Sequence, residues 1–361
     1  MPSTPDVSVV IPTFARPALV RRAVRSALAQ SVHNIEVIVV IDGPDDATRS
    51  ALGTITDTRL RVLTLSKQGG APNARNAGIR AARARYTAFL DDDDEWLPNK
   101  IAVQLDLASR SSADLPIVAC QLVSRTPRAE FVMPRRLPVP GEPLSEYLTV
   151  RRGLFHGDGF IQTSTIMAPT ELLRRVPFTL GMRRLQELDW TLRALSHDGV
   201  DLIYADKPLV IWHTDEDRPR VSFESPWQQS LEWARRSRPL MTPRAYAALT
   251  MSVISSMAAT TRSPRVFRTL LRDARRHGSP SAIDYLTFLQ IWLIPPELRR
   301  TLRDRILSRR QRASATVAVD RPSAATRTHT GAPSAAVPDT TPGEHPVRVR
   351  VGAHRSGEPR A

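Results

Sequence analysis

The chain has 361 residues, 51 Lys and Arg against 36 Asp and Glu, a formal net charge of +15 and a hydrophobic fraction of 41%. That apolar share supports a sizeable core and excludes a wholly disordered chain, and the single cysteine, Cys120, excludes an intrachain disulfide and a cysteine-based zinc centre. The basic residues are mostly arginines dispersed along the chain without interleaved aromatics, which argues against a nucleic-acid stacking platform and leaves nucleotides or an anionic membrane face as partners of the positive field.

In chain order, Val7 to Ile11 is an unbroken β-branched run closed by Pro12 and reads as a buried strand. Ala18 to Gln30 places Leu19, Ala23, Ala27 and Leu28 near one face of a helix. Glu36 to Ile41 is a second buried strand ending at Asp42, and Asp45 or Asp46 caps a following helix. Arg61 to Leu65 is a third strand, Gly69-Gly70-Ala71-Pro72 breaks the chain, Asn73 to Ala84 is helical, and Tyr86 to Leu90 is a fourth strand running into Asp91-Asp92-Asp93-Asp94-Glu95. This alternation predicts an α/β, doubly wound, mostly parallel sheet, with ligands beyond the carboxyl ends of the strands.

Arg125 to Pro143 reads as an irregular loop, Phe160 to Met167 as a strand, Glu171 to Arg175 and Glu187 to Leu195 as helices, and Asp201 to Ala205 and Leu209 to His213 as extended runs. From Pro243 the pattern is helical, through Ala245 to Thr260, Pro264 to Arg276, Ala282 to Leu293 and Pro296 to Arg310. Residues 313–361 hold almost no large apolar side chains and are expected to be disordered. No basic segment followed by an apolar stretch opens the chain, and Tyr285 to Pro296 is too short to span a bilayer. The expected location is cytoplasmic, with peripheral contact at the inner membrane face open.

Four consecutive aspartates leaving an apolar strand place like charges together, which costs free energy unless a cation neutralises them. A hard divalent ion, Mg²⁺ or Mn²⁺, takes such carboxylates and completes its shell with phosphates and water. The phosphate-binding pattern G-x-x-x-x-G-K-[ST] is absent, and Pro12-Thr13-Phe14-Ala15 occupies the turn where a dinucleotide fingerprint would lie.

The residues Val9-Val10-Ile11-Pro12-Thr13-Phe14, Leu28 to Ser31, Val37 to Gly43, Asn73 to Ile79 and Ala88 to Trp96, in that order and spacing, resemble glycosyltransferase family 2, the inverting transferases of A-type fold. The resemblance covers about Val7 to His213. It implies a nucleotide-diphospho-sugar transferase fold in 1–215, followed by a helical appendage in 216–312 and a basic tail in 313–361. It also implies a nucleoside-diphosphate sugar donor, uridine-linked by default. Pro12 and Thr13 would line the base pocket, Asp42 would hold the base, and Arg75 would steady the donor. Asp91 and Asp93 would hold Mn²⁺ or Mg²⁺ with Asp92 between them, and His213 would complete the metal or diphosphate site. The acceptor would be a carbohydrate, lipid-linked or small-molecule hydroxyl, with no nucleic acid involved. The sequence departs from the family at Ala15, Ile41 and Leu188.

Displacement at an anomeric carbon needs a base for the acceptor proton. Glu187-Leu188-Asp189-Trp190 resembles the family's acidic motif. Two positions apart on a helix, Glu187 and Asp189 face different directions, and Asp189 is the expected base. Trp190 is expected beneath the acceptor, and Asp158 and His156 are placed near the acceptor-side segment. Two other readings stand beside this one: a sugar nucleotidyltransferase, which would need a glycine-rich triphosphate loop absent after Ile11, and a catalytically inactive binding protein of the same fold.

Overall fold

The computed structural model describes residues 4–154, 157–216, 226–306 and 347–349. The expectations for His156 and for most of the tail fall outside these residues.

The first half alternates strand and helix: β1 Val7–Thr13, α1 Pro17–Leu28, β2 Ile35–Ile41, α2 Asp46–Gly53, β3 Leu60–Thr64, α3 Ala71–Ala81 and β4 Tyr86–Phe89. Every residue of β1 and β2 is buried, because helices cover both faces of the sheet. Alternate side chains divide between the two faces. Val7, Val9 and Ile11 pack with Val20 and Val24 of α1, while Val10 packs with Ile79 of α3 and Phe89. The close approach of α3 needs Gly78, where a Cβ would lie 2.4 Å from a methyl of Val10.

The chain continues through β5 Asp94–Trp96, α4 Lys100–Ser109, β6 Leu115–Arg125, β7 Glu130–Met133, α5 Leu144–Thr149, β8 Met167–Pro169, α6 Thr170–Arg175, α7 Gln186–Ala194 and β9 Val200–His213. With β10, Val347–Val349, the strand order is β10-β9-β6-β8-β4-β1-β2-β3, with β5 on β9 and β7 on β6. The sheet is mixed. β3, β2, β1 and β4 run parallel, as do β6 and β9, and β8 is antiparallel to both neighbours.

Three local expectations change. The loop expected over 125–143 contains β7, which forms a hairpin with β6 through Thr126, whose hydroxyl accepts from the Ala129 amide at 3.0 Å. The strand expected over 160–167 is a 3₁₀ turn at Thr163–Thr165, capped by the Gln162 side chain, and only Met167 onward pairs. The two runs before His213 are one strand, with irregular register opposite Cys120 to Leu122 that absorbs the polar Asp206-Lys207.

The helical region comprises α8 Trp227–Arg236, α9 Pro243–Leu249, a π-turn at Thr250–Ile254, α10 Ser255–Ala258, α11 Pro264–His277, α12 Ala282–Leu293 and a helix over 296–306. Its core includes Trp233, Tyr246, Leu249 and Phe288 and is completed by Leu188 and Leu192 of α7. α7 therefore serves both halves. Among the described residues no helix is long and apolar enough to cross a membrane.

Candidate active site

β1 and β4 are neighbours, yet β2 and β3 lie on the far side of β1. Connections diverge at this pair, so a crevice opens at the carboxyl ends of β1 and β4. Thr13 ends β1 and Asp91 follows β4, and the Thr13 hydroxyl donates to Asp92 Oδ2 across the crevice at 2.7 Å.

Carboxylate oxygens of Asp91, Asp93 and Asp94 lie within 4.8 Å of one another. Each carboxylate is held by different elements. Asp91 accepts from Arg75 Nη2 at 2.5 Å and from Gln162 Nε2 at 3.1 Å. Asp94 Oδ2 accepts from the Ser164 hydroxyl at 2.6 Å and Gln162 Nε2 at 2.8 Å. Arg16, at the entry to α1, reaches Asp92 at 3.0 Å and Asp93 at 3.2 Å.

Asp94 is fully buried, and its Oδ1 has no hydrogen-bond donor in the structure. Burial, with Asp93 and Asp91 adding repulsion, holds its carboxyl well above the ordinary carboxylate range. The same causes, burial first and then Asp93, push Asp92 up to about 6 despite Arg16 and Thr13. A divalent cation would relieve this repulsion and take the orphaned oxygen, and the all-oxygen donor set suits a hard ion. The residues present therefore fit Mg²⁺ or Mn²⁺. Asp94 enters this set, although it was not expected from the sequence.

His213 does not join it. Its Nε2 lies 2.6 Å from Glu95 Oε1 and its Nδ1 3.6 Å from Asp215. The histidine belongs to a group with Glu95, Glu216 and Arg22 at the end of β9, where β5 pairs with that strand. Its bonds to Glu95 set His213 beside the carboxylate cluster and outside it.

Pro12 is buried at the end of β1 beside Thr13. Asp42, 4% exposed, accepts the Gly69 amide at 2.9 Å and the Gly70 amide at 2.7 Å, one on each oxygen. It thus pins the glycine turn that starts α3, where Gly70 has φ +84° and a side chain would be strained. Arg75 is buried against Phe178, 5.5 Å from the ring centroid, and also donates to Gln186 at the start of α7. Burial opposes its charge, but Asp91 and Glu187 outweigh this and hold the guanidinium above its usual value.

α7 separates the two acidic residues of the motif. Asp189 is 5% exposed: Oδ2 accepts from Thr179 at 2.7 Å and from Arg193 at 2.7 and 3.0 Å, and Oδ1 from Trp233 Nε1 at 2.8 Å. These contacts tie Asp189, the expected base, to the helical region. Glu187, partly exposed, accepts from Thr163, which lies between Gln162 and Ser164, the donors to Asp91 and Asp94. Trp190 is wholly buried, stacks on Phe178 and donates to the Val176 carbonyl at 2.8 Å, so it is core and not acceptor floor. Asp158 pairs with Arg135 at 3.4 Å. Sequence reasoning missed Arg16, which no motif marks, and the contact of Gln162 with Asp91 and Asp94.

The crevice thus sets clustered carboxylates, with Arg16 and Arg75 beside them, beyond the carboxyl ends of parallel strands, where ligands of such sheets bind. Residues 8–174, just under half of the chain, match the family model described as Glycosyl transferase family 2, and this segment belongs to that family. It is 38% identical over 120 residues to the succinoglycan biosynthesis protein ExoO of Rhizobium meliloti, covering 33% of this chain and 34% of that protein. It is 28% identical over 132 residues to the UDP-Glc:alpha-D-GlcNAc-diphosphoundecaprenol beta-1,3-glucosyltransferase WfgD of Escherichia coli, covering 36% of this chain and 52% of that one. The matches thus span about a third and about half of these two relatives. The crystal structure of S. aureus TarS 1-349 in complex with UDP-GlcNAc superposes with a TM-score of 0.54 at 16% identity, over 80% of this chain and 90% of that chain, a likeness of fold.

Proposed function

We propose that the chain transfers a sugar from a nucleoside-diphosphate sugar to an acceptor hydroxyl with inversion at the anomeric carbon. The observation that carries this reading is the meeting of Asp91, Asp93 and Asp94 at the crevice between β1 and β4. Asp91, Asp93 and Asp94 would hold Mg²⁺ or Mn²⁺, which when bound neutralises charge on the leaving diphosphate. Arg16, beside Asp92 and Asp93, adds positive charge at the same place. Thr13 and Asp42 border the base end of the crevice. Arg75 fixes Asp91 and the start of α7 in one geometry.

Glu187 takes the acceptor proton. The acceptor oxygen then attacks the anomeric carbon from the face opposite the leaving group, and the bond from that carbon to the diphosphate oxygen breaks with its electron pair on the diphosphate. The uridine-linked donor is supported by the UDP-Glc-dependent activity for which WfgD is named and by the UDP-GlcNAc in the TarS crystal structure. The same activity of WfgD makes a lipid-linked sugar the favoured acceptor class. In this reading 1–215 is the catalytic unit, 216–312 shapes the acceptor side, and the chain works in the cytoplasm.

The test is release of nucleoside diphosphate from a panel of UDP-glucose, UDP-N-acetylglucosamine, UDP-galactose and GDP-mannose with Mn²⁺. One donor cleaved with Mn²⁺ and spared after chelation is expected. No cleavage and no calorimetric binding of any donor would leave the inactive binding protein as the better account.

A further inference from the structure

α11 carries Arg265, Arg268, Arg272, Arg275 and Arg276, all exposed. Spacings of three, four, three and one place them along one side of the helix, opposite the fully buried Leu270 and Ala274. Among the described residues none of these five guanidinium groups pairs with a carboxylate. The one acidic residue of α11, Asp273, is buried and held by Arg235 and Tyr246. Like charges at these spacings destabilise a helix unless an anionic surface meets them.

The neighbouring helix exposes apolar side chains. Leu286, Leu289 and Leu293 of α12 are 52%, 44% and 76% exposed, again three and four apart, and Leu298 follows at 51%. α11 and α12 are locked together by Phe267, whose ring centroid lies 4.6 Å from Phe288 and 5.4 Å from Trp292. At the end of α11, Arg276 and His277 join Arg238 and Tyr246 around an open groove of about 480 Å³.

A second copy of this chain is a poor occupant, because each copy brings a net charge of +15. A nucleic-acid strand would use the arginines but has no use for exposed leucines in place of stacking aromatics. A bilayer with anionic headgroups uses both, phosphates meeting the guanidinium groups and acyl chains taking the leucines. We propose that α11 and α12 form a peripheral docking surface for an anionic phospholipid bilayer. This stands independently of the transfer reaction.

Sedimentation of the full chain with vesicles of phosphatidylcholine, alone or with an equal part of phosphatidylglycerol, tests it. Binding is expected only with phosphatidylglycerol and should weaken steeply as NaCl is raised. The variant Arg268→Ala/Arg272→Ala/Arg275→Ala should lose about a hundredfold in partition, the summed effect of three basic groups at a charged surface. Leu286→Ser/Leu289→Ser/Leu293→Ser should also weaken it, and both variants should cleave soluble donor as the parent does. Absence of binding, salt-indifferent binding, equal binding to neutral vesicles, or an unchanged arginine variant would each overturn the proposal. So would displacement from vesicles by a single-stranded oligonucleotide well below the lipid concentration. The salt series uses the unaltered chain, so it decides the matter even if a variant fails to fold.

Discussion

Replacing Asp189 by Asn and Glu187 by Gln should separate a structural carboxylate from a chemical one. Asp189 accepts four hydrogen bonds, from Thr179, Trp233 and twice from Arg193. An asparagine amide offers one oxygen, so its NH₂ group must face either the Trp233 indole N–H or the Arg193 guanidinium. A buried donor left facing a donor costs about 1–3 kcal/mol. The lost ion pair adds about 1 kcal/mol or less, because the Arg193 side chain is 28% exposed and screened by water. The sum, about 1–4 kcal/mol, lowers the melting temperature by roughly 1–5 °C in a chain of this size. Glu187→Gln keeps an acceptor for the Thr163 hydroxyl and should leave melting nearly unchanged. Its donor turnover should fall by about 10²–10⁴, the usual contribution of a general base. Thermal unfolding and nucleoside diphosphate release, measured on both variants, give the two readouts. A stable Asp189→Asn without turnover, beside an active Glu187→Gln, would refute the assignment.

Two further outcomes depend on pH. Lys100 is fully buried, its Nζ 2.6 Å from Gln104 Oε1 and 4.0 Å from the centroid of Trp96. Burial lowers its pKa from 10.5 to about 8. Between these values the unfolded chain binds the proton more tightly, so stability rises with pH, by at most about 3 kcal/mol across the window. Urea unfolding at pH near 7 and near 10 should show this rise in the parent and lose it in Lys100→Met; an equal rise in both would contradict it. At the crevice, burial and Asp93 hold Asp92 at about 6, and Asp94 lies well above its ordinary range. An ion is held by deprotonated carboxylates and Asp94 must lose its proton to join them, so Mn²⁺ affinity should weaken as pH falls. Calorimetric titrations over a pH series check it, and a pH-independent affinity would contradict it.

The parallel half of the fold was legible because β1 and β2 are buried on both faces and leave continuous β-branched runs. The other half was not. β6 begins with Leu115-Pro116, and β7 lies in an arginine- and proline-rich stretch whose pairing depends on a hairpin with β6. Gln162, Thr163 and Ser164 fall within the stretch Phe160 to Met167 that reads as a strand. They are buried, because they orient Asp91, Asp94 and Glu187. At the site, four identical aspartates in a row carry no internal signal of which will meet. The start of β5 decides it by turning Asp94 inward beside Asp91 and Asp93 while Asp92 faces Thr13. The difference in direction between Glu187 and Asp189 followed from helix geometry, but which of them faced the crevice depended on where the helical region docks. Trp233, 44 residues further on, takes Asp189 for that contact.

The most direct test of the whole account is Mn²⁺ binding followed by electron paramagnetic resonance, with and without uridine diphosphate, in the parent and in Asp91→Ala/Asp93→Ala. The parent should bind the ion, more tightly when the diphosphate is present, and the double variant should lose both the binding and the enhancement. Equal Mn²⁺ affinity in the two proteins, or donor cleavage at full rate after complete chelation, would contradict the claim that these carboxylates hold the ion against the donor.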